Sequence, residues 1–118
     1  MKELRSWPAP GQVETRRFPR VGEQAPTARA LDPKVWRLEV EGLVARPLSL
    51  TFDDVLALPQ EESAFDLHCV TGWSRRGTRF AGTRLAHVFE RAGVATAARF
   101  ARFIAYSDRG HDTSLPLA

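Results

Sequence analysis

In the stretch VWRLEVEGLV, Trp36, Leu38 and Val40 alternate with Arg37, Glu39 and Glu41. A period of two puts one set of side chains on a buried face, so a strand is predicted here, ending at Gly42. RPLSLTFDDVLALPQ predicts a short extended piece and then a helix, with Thr51 as N-cap, Asp53 and Asp54 in the first turn and Pro59 as the stop. Val55, Leu56 and Leu58 supply its apolar side. In ESAFDLHCV, Phe65, Leu67 and Cys69 share one parity and Asp66, His68 and Val70 the other, so a strand would carry the cysteine inward at its end. TGWSRRGTRFAG reads as turn and irregular chain, broken by Gly72, Gly77 and Gly82. TRLAHVFERAG predicts a helix capped by Thr83, with Leu85, Val88 and Phe89 at helical spacing and Gly93 at its C-terminal end. RFARFIAYSDRG predicts another strand, and HDTSLPLA a turn into a short extended segment.

Residues 1–30 are rich in proline, glycine, glutamine and arginine without a sustained period, and read as an extended arm that either wraps the domain or is loose. Residues 31–118 then form the folded part. Strands alternating with two short helices, without a regular crossover, point to a mixed α+β domain. The 118 residues suit one small domain. No apolar run approaches the roughly 20 residues needed to cross a bilayer, and no secretory signal is visible. A lone cysteine makes no internal disulfide, which fits a cytoplasmic setting.

The formal net charge is +3, but its distribution is uneven. Between Thr71 and His111 stand Arg75, Arg76, Arg79, Arg84, Arg91, Arg99, Arg102 and Arg109, opposed only by Glu90 and Asp108. Such a field favours an anionic ligand; a solvated basic face is the plainer explanation.

Cys69 has three readings: a small buried apolar residue, a nucleophile, or a thiolate ligand to a metal. His68 would point to the opposite strand face and is a poor base for it, and nothing local recruits His87 or His111. The paired spacings of a zinc site are absent. One thiolate suffices only where a cofactor brings its own sulfur donors. Arg75 and Arg76 would lower the thiol pKa and match phosphate or oxyanion geometry. Trp36 and Trp73 read as core or rim aromatics, and Thr71 and Ser74 as turn residues whose hydroxyls bond locally.

WRLEVEGLVARPLSLTFDDVLALPQ, HCVTGWS, TRLAHVFERAGV and ARFIAYSDRGHDTSLPLA together resemble, in order and spacing, the N-terminal part of the sulfite oxidase-like molybdopterin-binding domain. HCVTGWS is the most specific block. The resemblance implies a mixed-sheet fold, with Cys69 as the molybdenum ligand and His68, Val70, Thr71, Gly72 and Trp73 around the pterin dithiolene. It implies Arg75 as a phosphate or anion contact, Asp108, Thr113 and Ser114 on a loop closing over the metal, and Phe18 and Arg20 on an arm folded back on the pterin. Phe80 stands where the family commonly has a tryptophan and His111 where an aromatic residue is usual. The family domain also continues into a second half that grips the pterin phosphate, so a longer protein, a partner chain or self-association is expected to complete the site.

The function implied is a molybdenum-cofactor oxidoreductase performing two-electron oxygen-atom transfer on a small anionic, sulfite- or sulfoxide-like substrate. No haem-binding cysteine-histidine signature is present, so electrons are expected to pass to or from a separate partner. The alternative is a cofactor-free interaction module with an arginine-rich surface for an anionic partner. Nucleic acid is disfavoured because aromatics are not interleaved with the basic residues.

Overall fold

The computed structural model describes residues 7–19, 31–106 and 110–117. The chain forms two compact units, one from Met1–Gln24 and Glu62–Ala81, the other from Ala25–Glu61 and Gly82–Ala118.

In the first unit, β1 (Val13–Glu14) comes from the arm, β4 (Glu61–His68) carries most of the stretch before the cysteine, and β5 (Trp73–Gly82) follows it. The sheet order is β1-β5-β4. A four-residue turn joins β4 to β5, too short for a parallel crossover, so these two strands form an antiparallel hairpin. β1 pairs with β5 in parallel, Val13 opposite Trp73 and Glu14 opposite Ser74. Residues 7–19 of the arm are therefore docked, and the sheet is mixed.

β5 corrects the expectation of irregular chain after Cys69. Its buried positions are Ser74 and Thr78, both polar, so the strand lacks the apolar alternation by which strands are usually recognised. The inward face assigned to Phe65 is also corrected. Phe65 is 47% exposed and stacks on Phe80 across the hairpin, with ring centroids 4.8 Å apart.

In the second unit, β2 (Arg37–Val40) and β3 (Leu48–Thr51) pair antiparallel, Arg37 opposite Thr51 and Val40 opposite Leu48. Helix α1 (Phe52–Ala57) starts as the sequence predicts. Thr51 Oγ1 accepts from the Asp54 backbone N–H, and the Asp54 carboxylate accepts from the Thr51 N–H, a reciprocal capping box. Within α2 (Leu85–Ala92), Val88 and Ala92 lie one turn apart and are buried. Its N-cap is Arg84, without a side-chain cap hydrogen bond, rather than the expected Thr83. The helix ends at Gly93 in the left-handed region, φ 68°. Arg46 covers that end, donating from Nε to the Arg91 carbonyl (2.9 Å) and from a terminal nitrogen to the Glu90 carbonyl (3.4 Å). β6 (Phe100–Ile104) and β7 (Asp112–Pro116) form a second antiparallel pair, with Arg102 opposite Ser114 and Phe103 opposite Thr113. No helix among the described residues is long and apolar enough to cross a membrane.

Candidate functional site

β4 ends at His68, so Cys69 lies in the turn rather than pointing inward from a strand. The turn closes through Gly72 N–H to the Cys69 carbonyl (3.0 Å), and the hairpin through Cys69 N–H to the Trp73 carbonyl (2.8 Å). Gly72 takes φ 93°, a conformation that a side chain would strain, and this lets four residues reverse the chain. Cys69 is half-buried, while Val70, at the tip, is fully exposed.

Cys69 Sγ lies 3.0 Å from Thr71 Oγ1. The hydroxyl of Thr71, then its backbone N–H, and further the Val70 N–H hold the thiol below its ordinary pKa. Hydrogen bonds to the anionic form favour that form. This corrects the expected source of the shift, since neither Arg75 nor Arg76 is among its causes. The Arg75 guanidinium lies over the Phe18 ring, 4.7 Å from its centroid, and donates from Nε to the Arg16 carbonyl. Arg76 lies 4.6 Å over the Trp7 ring and 3.6 Å from the Glu14 carboxylate.

The wider positive field is also reduced by partners that a linear reading does not bring together. Arg79 pairs with Glu62, Arg84 with Glu61 and Arg102 with Asp112. Strand pairing and chain reversal bring each acid beside its arginine, so part of the apparent basic block becomes a set of exposed ion pairs.

Behind the cysteine turn runs a polar chain that the sequence did not reveal. Gln12 Nε2 donates to the Cys69 carbonyl (3.1 Å), Ser74 Oγ donates to Gln12 Oε1 (2.8 Å), and His68 Nδ1 is 2.7 Å from Ser74 Oγ. The single serine proton is used on Gln12, so Ser74 accepts from His68, whose Nδ1 therefore carries a proton. Ser74 is fully buried, and its bond reaches 62 residues back rather than staying local as expected. The His68 ring also packs against Trp7, with centroids 5.2 Å apart. Phe18 meets Trp73 edge-on at 6.1 Å.

Phe18, His68, Cys69, Val70, Thr71 and Arg75 thus all belong to the first unit, around the turn and its arm. Thr113 and Ser114 lie on β7 in the second unit, both exposed. Arg20 and Asp108 lie outside the described residues. Among the described residues, no three His, Cys, Asp or Glu side chains gather to hold a metal ion. The indole N–H groups of Trp7 and Trp73 are buried without a hydrogen-bond partner among the described residues.

The family described as the oxidoreductase molybdopterin binding domain matches residues 24–118. The chain is 44% identical to the uncharacterized oxidoreductase YuiH of Bacillus subtilis over 86 residues, 73% of this chain and 42% of that protein. It is 36% identical over 83 residues to the protein-methionine-sulfoxide reductase catalytic subunit MsrP of Ralstonia nicotianae, 70% of this chain and 25% of that one. The chain therefore spans less than half the length of these relatives. The fold is similar to that of the sulfane dehydrogenase SoxCD from Paracoccus pantotrophus, with a TM-score of 0.66 at 19% identity, covering 73% of this chain and 26% of that one. The mixed α+β architecture is thus that of part of a sulfite oxidase-like domain, and the chain belongs to the oxidoreductase molybdopterin-binding domain family.

Proposed function

We propose that this chain is the cysteine-bearing portion of a molybdenum-molybdopterin oxidoreductase that moves an oxygen atom to or from a small sulfite- or sulfoxide-like substrate. The observation that carries the reading is the presentation of Cys69, a half-buried thiol on a tight turn, held toward its anionic form by Thr71. The donor set fits such a cofactor. A protein cage of several ligands does not form among the described residues, whereas one soft thiolate is what a metal carrying its own dithiolene sulfurs requires. The indole N–H of Trp73, immediately after the turn, is buried without a partner among the described residues and is a donor that an acceptor-rich pterin suits.

The molybdenum cofactor, when bound, supplies the two-electron change that accompanies gain or loss of oxygen by the substrate. The chain's own residues prepare for it. The Thr71 hydroxyl, 3.0 Å from the Cys69 sulfur, favours the thiolate form to which it can donate, Gly72 holds the turn, and Phe18, Val70 and Arg75 line the surroundings. Arg20 is a proposed contact to cofactor or substrate. Electrons pass to a separate partner. The sulfoxide chemistry in this proposal is supported by the name of the MsrP relative and rests on the shared family.

The test is molybdenum and pterin content of the protein purified from a host that makes the cofactor, with Cys69→Ser in parallel. Molybdenum near one per chain, lost in the variant, is the expected result. Well-folded wild type without metal or pterin would overturn the proposal.

A further inference from the structure

We infer that Gln12 is a positioning residue that fixes the cysteine turn, and with it the direction from which the Cys69 thiolate meets its metal. Only that second consequence rests on the proposed function. Gln12 stands immediately before β1 and joins both shoulders of the turn with one carboxamide. Its Nε2 donates to the Cys69 carbonyl on the β4 side, and its Oε1 accepts from Ser74 on the β5 side. The backbone beside it continues the attachment. Val13 N–H donates to the Gly72 carbonyl at 2.9 Å, and Thr15 N–H to the Ser74 carbonyl at 2.8 Å. Reversing the amide would set its oxygen against the Cys69 carbonyl oxygen, so the two partners dictate one orientation. Ser74 is fully buried, and its hydroxyl has no water to exchange for Gln12, which makes loss of this partner more costly than at a surface. His68 closes the chain by donating to Ser74, so the residue before the cysteine is held through the same carboxamide.

None of these bonds touches the sulfur. Their effect is on the backbone that carries it, where the Cys69 carbonyl is also the acceptor of the turn-closing Gly72 N–H. A carbonyl bonded twice cannot rotate freely, and its peptide plane sets the path from Cys69 to Thr71.

Gln12→Glu separates this role from simple packing. It preserves size and the acceptor for Ser74 but removes the donor to Cys69. Gln12→Ala removes both. Amide hydrogen exchange on the full chain, with and without cofactor, is expected to accelerate about tenfold at Gly72 and Cys69 in Gln12→Glu, and more in Gln12→Ala, with Val88 in α2 unchanged. In the molybdenum-loaded protein, Gln12→Glu is expected to shift the thiolate-to-metal charge-transfer band while metal content is retained. Gln12→Asn, whose carboxamide is one methylene shorter, is expected to restore the band only in part.

Unchanged exchange at Gly72 and Cys69 in both Gln12→Glu and Gln12→Ala would overturn the inference, as would acceleration that includes Val88 equally. Wild type that never loads molybdenum would sink the proposed function instead, while the exchange measurement still decides the role of Gln12.

Discussion

Cys69 and Thr71 are two residues apart in one short block, and that proximity makes the thiol's environment a local property. The thiol pKa is lowered, so a larger thiolate fraction exists at neutral pH than an ordinary cysteine would show. Thr71→Val removes the leading cause and is expected to move the pH midpoint for alkylation of this single cysteine upward. The reaction slows several-fold near pH 7 and matches wild type once the pH is well above the ordinary thiol value, whereas Thr71→Ser keeps the hydroxyl and the wild-type profile. An unchanged profile in Thr71→Val would refute the assignment. HCVTGWS made Cys69 legible in the sequence, but the residues that hold its backbone were not. Gln12 lies 57 residues from Cys69, and a glutamine among prolines and glycines carries no local signal. Ser74 could have been flagged only if its strand had been recognised. The arginines misled for a related reason. Their number was visible, but the carboxylates facing them were fixed by strand pairing.

Helix ends were read more successfully because capping is encoded within a few residues. The Thr51–Asp54 box required only the N-cap and third helical position. Thr51→Ala is expected to cost about 1 kcal/mol, measured as a lower urea midpoint. Asp54 adds a pH signature. The Thr51 backbone N–H and then its hydroxyl hold the Asp54 carboxyl below the ordinary aspartate value. Its contribution is therefore present above the ordinary carboxylate range and fades as acid protonates the folded form, so Asp54→Asn should lower stability at neutral and alkaline pH, leave the acid end nearly unchanged, and so flatten the acid limb of the profile. Gly93 combines two constraints. Its φ is 68°, and an added Cβ would meet Ala45 Cβ at 3.1 Å. Gly93→Ala is expected to lower stability by about 1 kcal/mol or more, with faster amide exchange along α2. Thr83 failed as a cap because the helix begins one residue later than its hydroxyl requires. β5 was missed because its glycines and arginines resemble loop composition, and its buried face is made of Ser74 and Thr78.

Across the whole molecule, apolar surface exceeds what the described core buries. Leu50, Val88 and Ala92 are the buried apolar residues among those described, while Phe100, Ile104, Tyr106 and Leu115 of the β6–β7 region are each more than half exposed. Exposed apolar side chains on this scale favour association. The 118-residue chain by itself is expected to bind a hydrophobic reporter dye and to sediment with a concentration-dependent mass; a dye-silent monomer at all concentrations would contradict this. The α+β class was legible because period-two and helical patterns alternate along the chain, but the mixed character of the first sheet was not, since it depends on a two-residue strand pairing across sixty positions. That parallel pairing of β1 with β5 has a kinetic consequence. The arm is synthesised first, yet its partner strand does not exist until Ser74 has been added, and tying the two closes a long loop whose entropy must be overcome before the contact is rewarded. The hairpin can form early from neighbouring residues, while the clasp on its cysteine end waits for the arm to return. Between those events the nascent chain displays an unclasped thiol, and the order of folding sets how long that interval lasts.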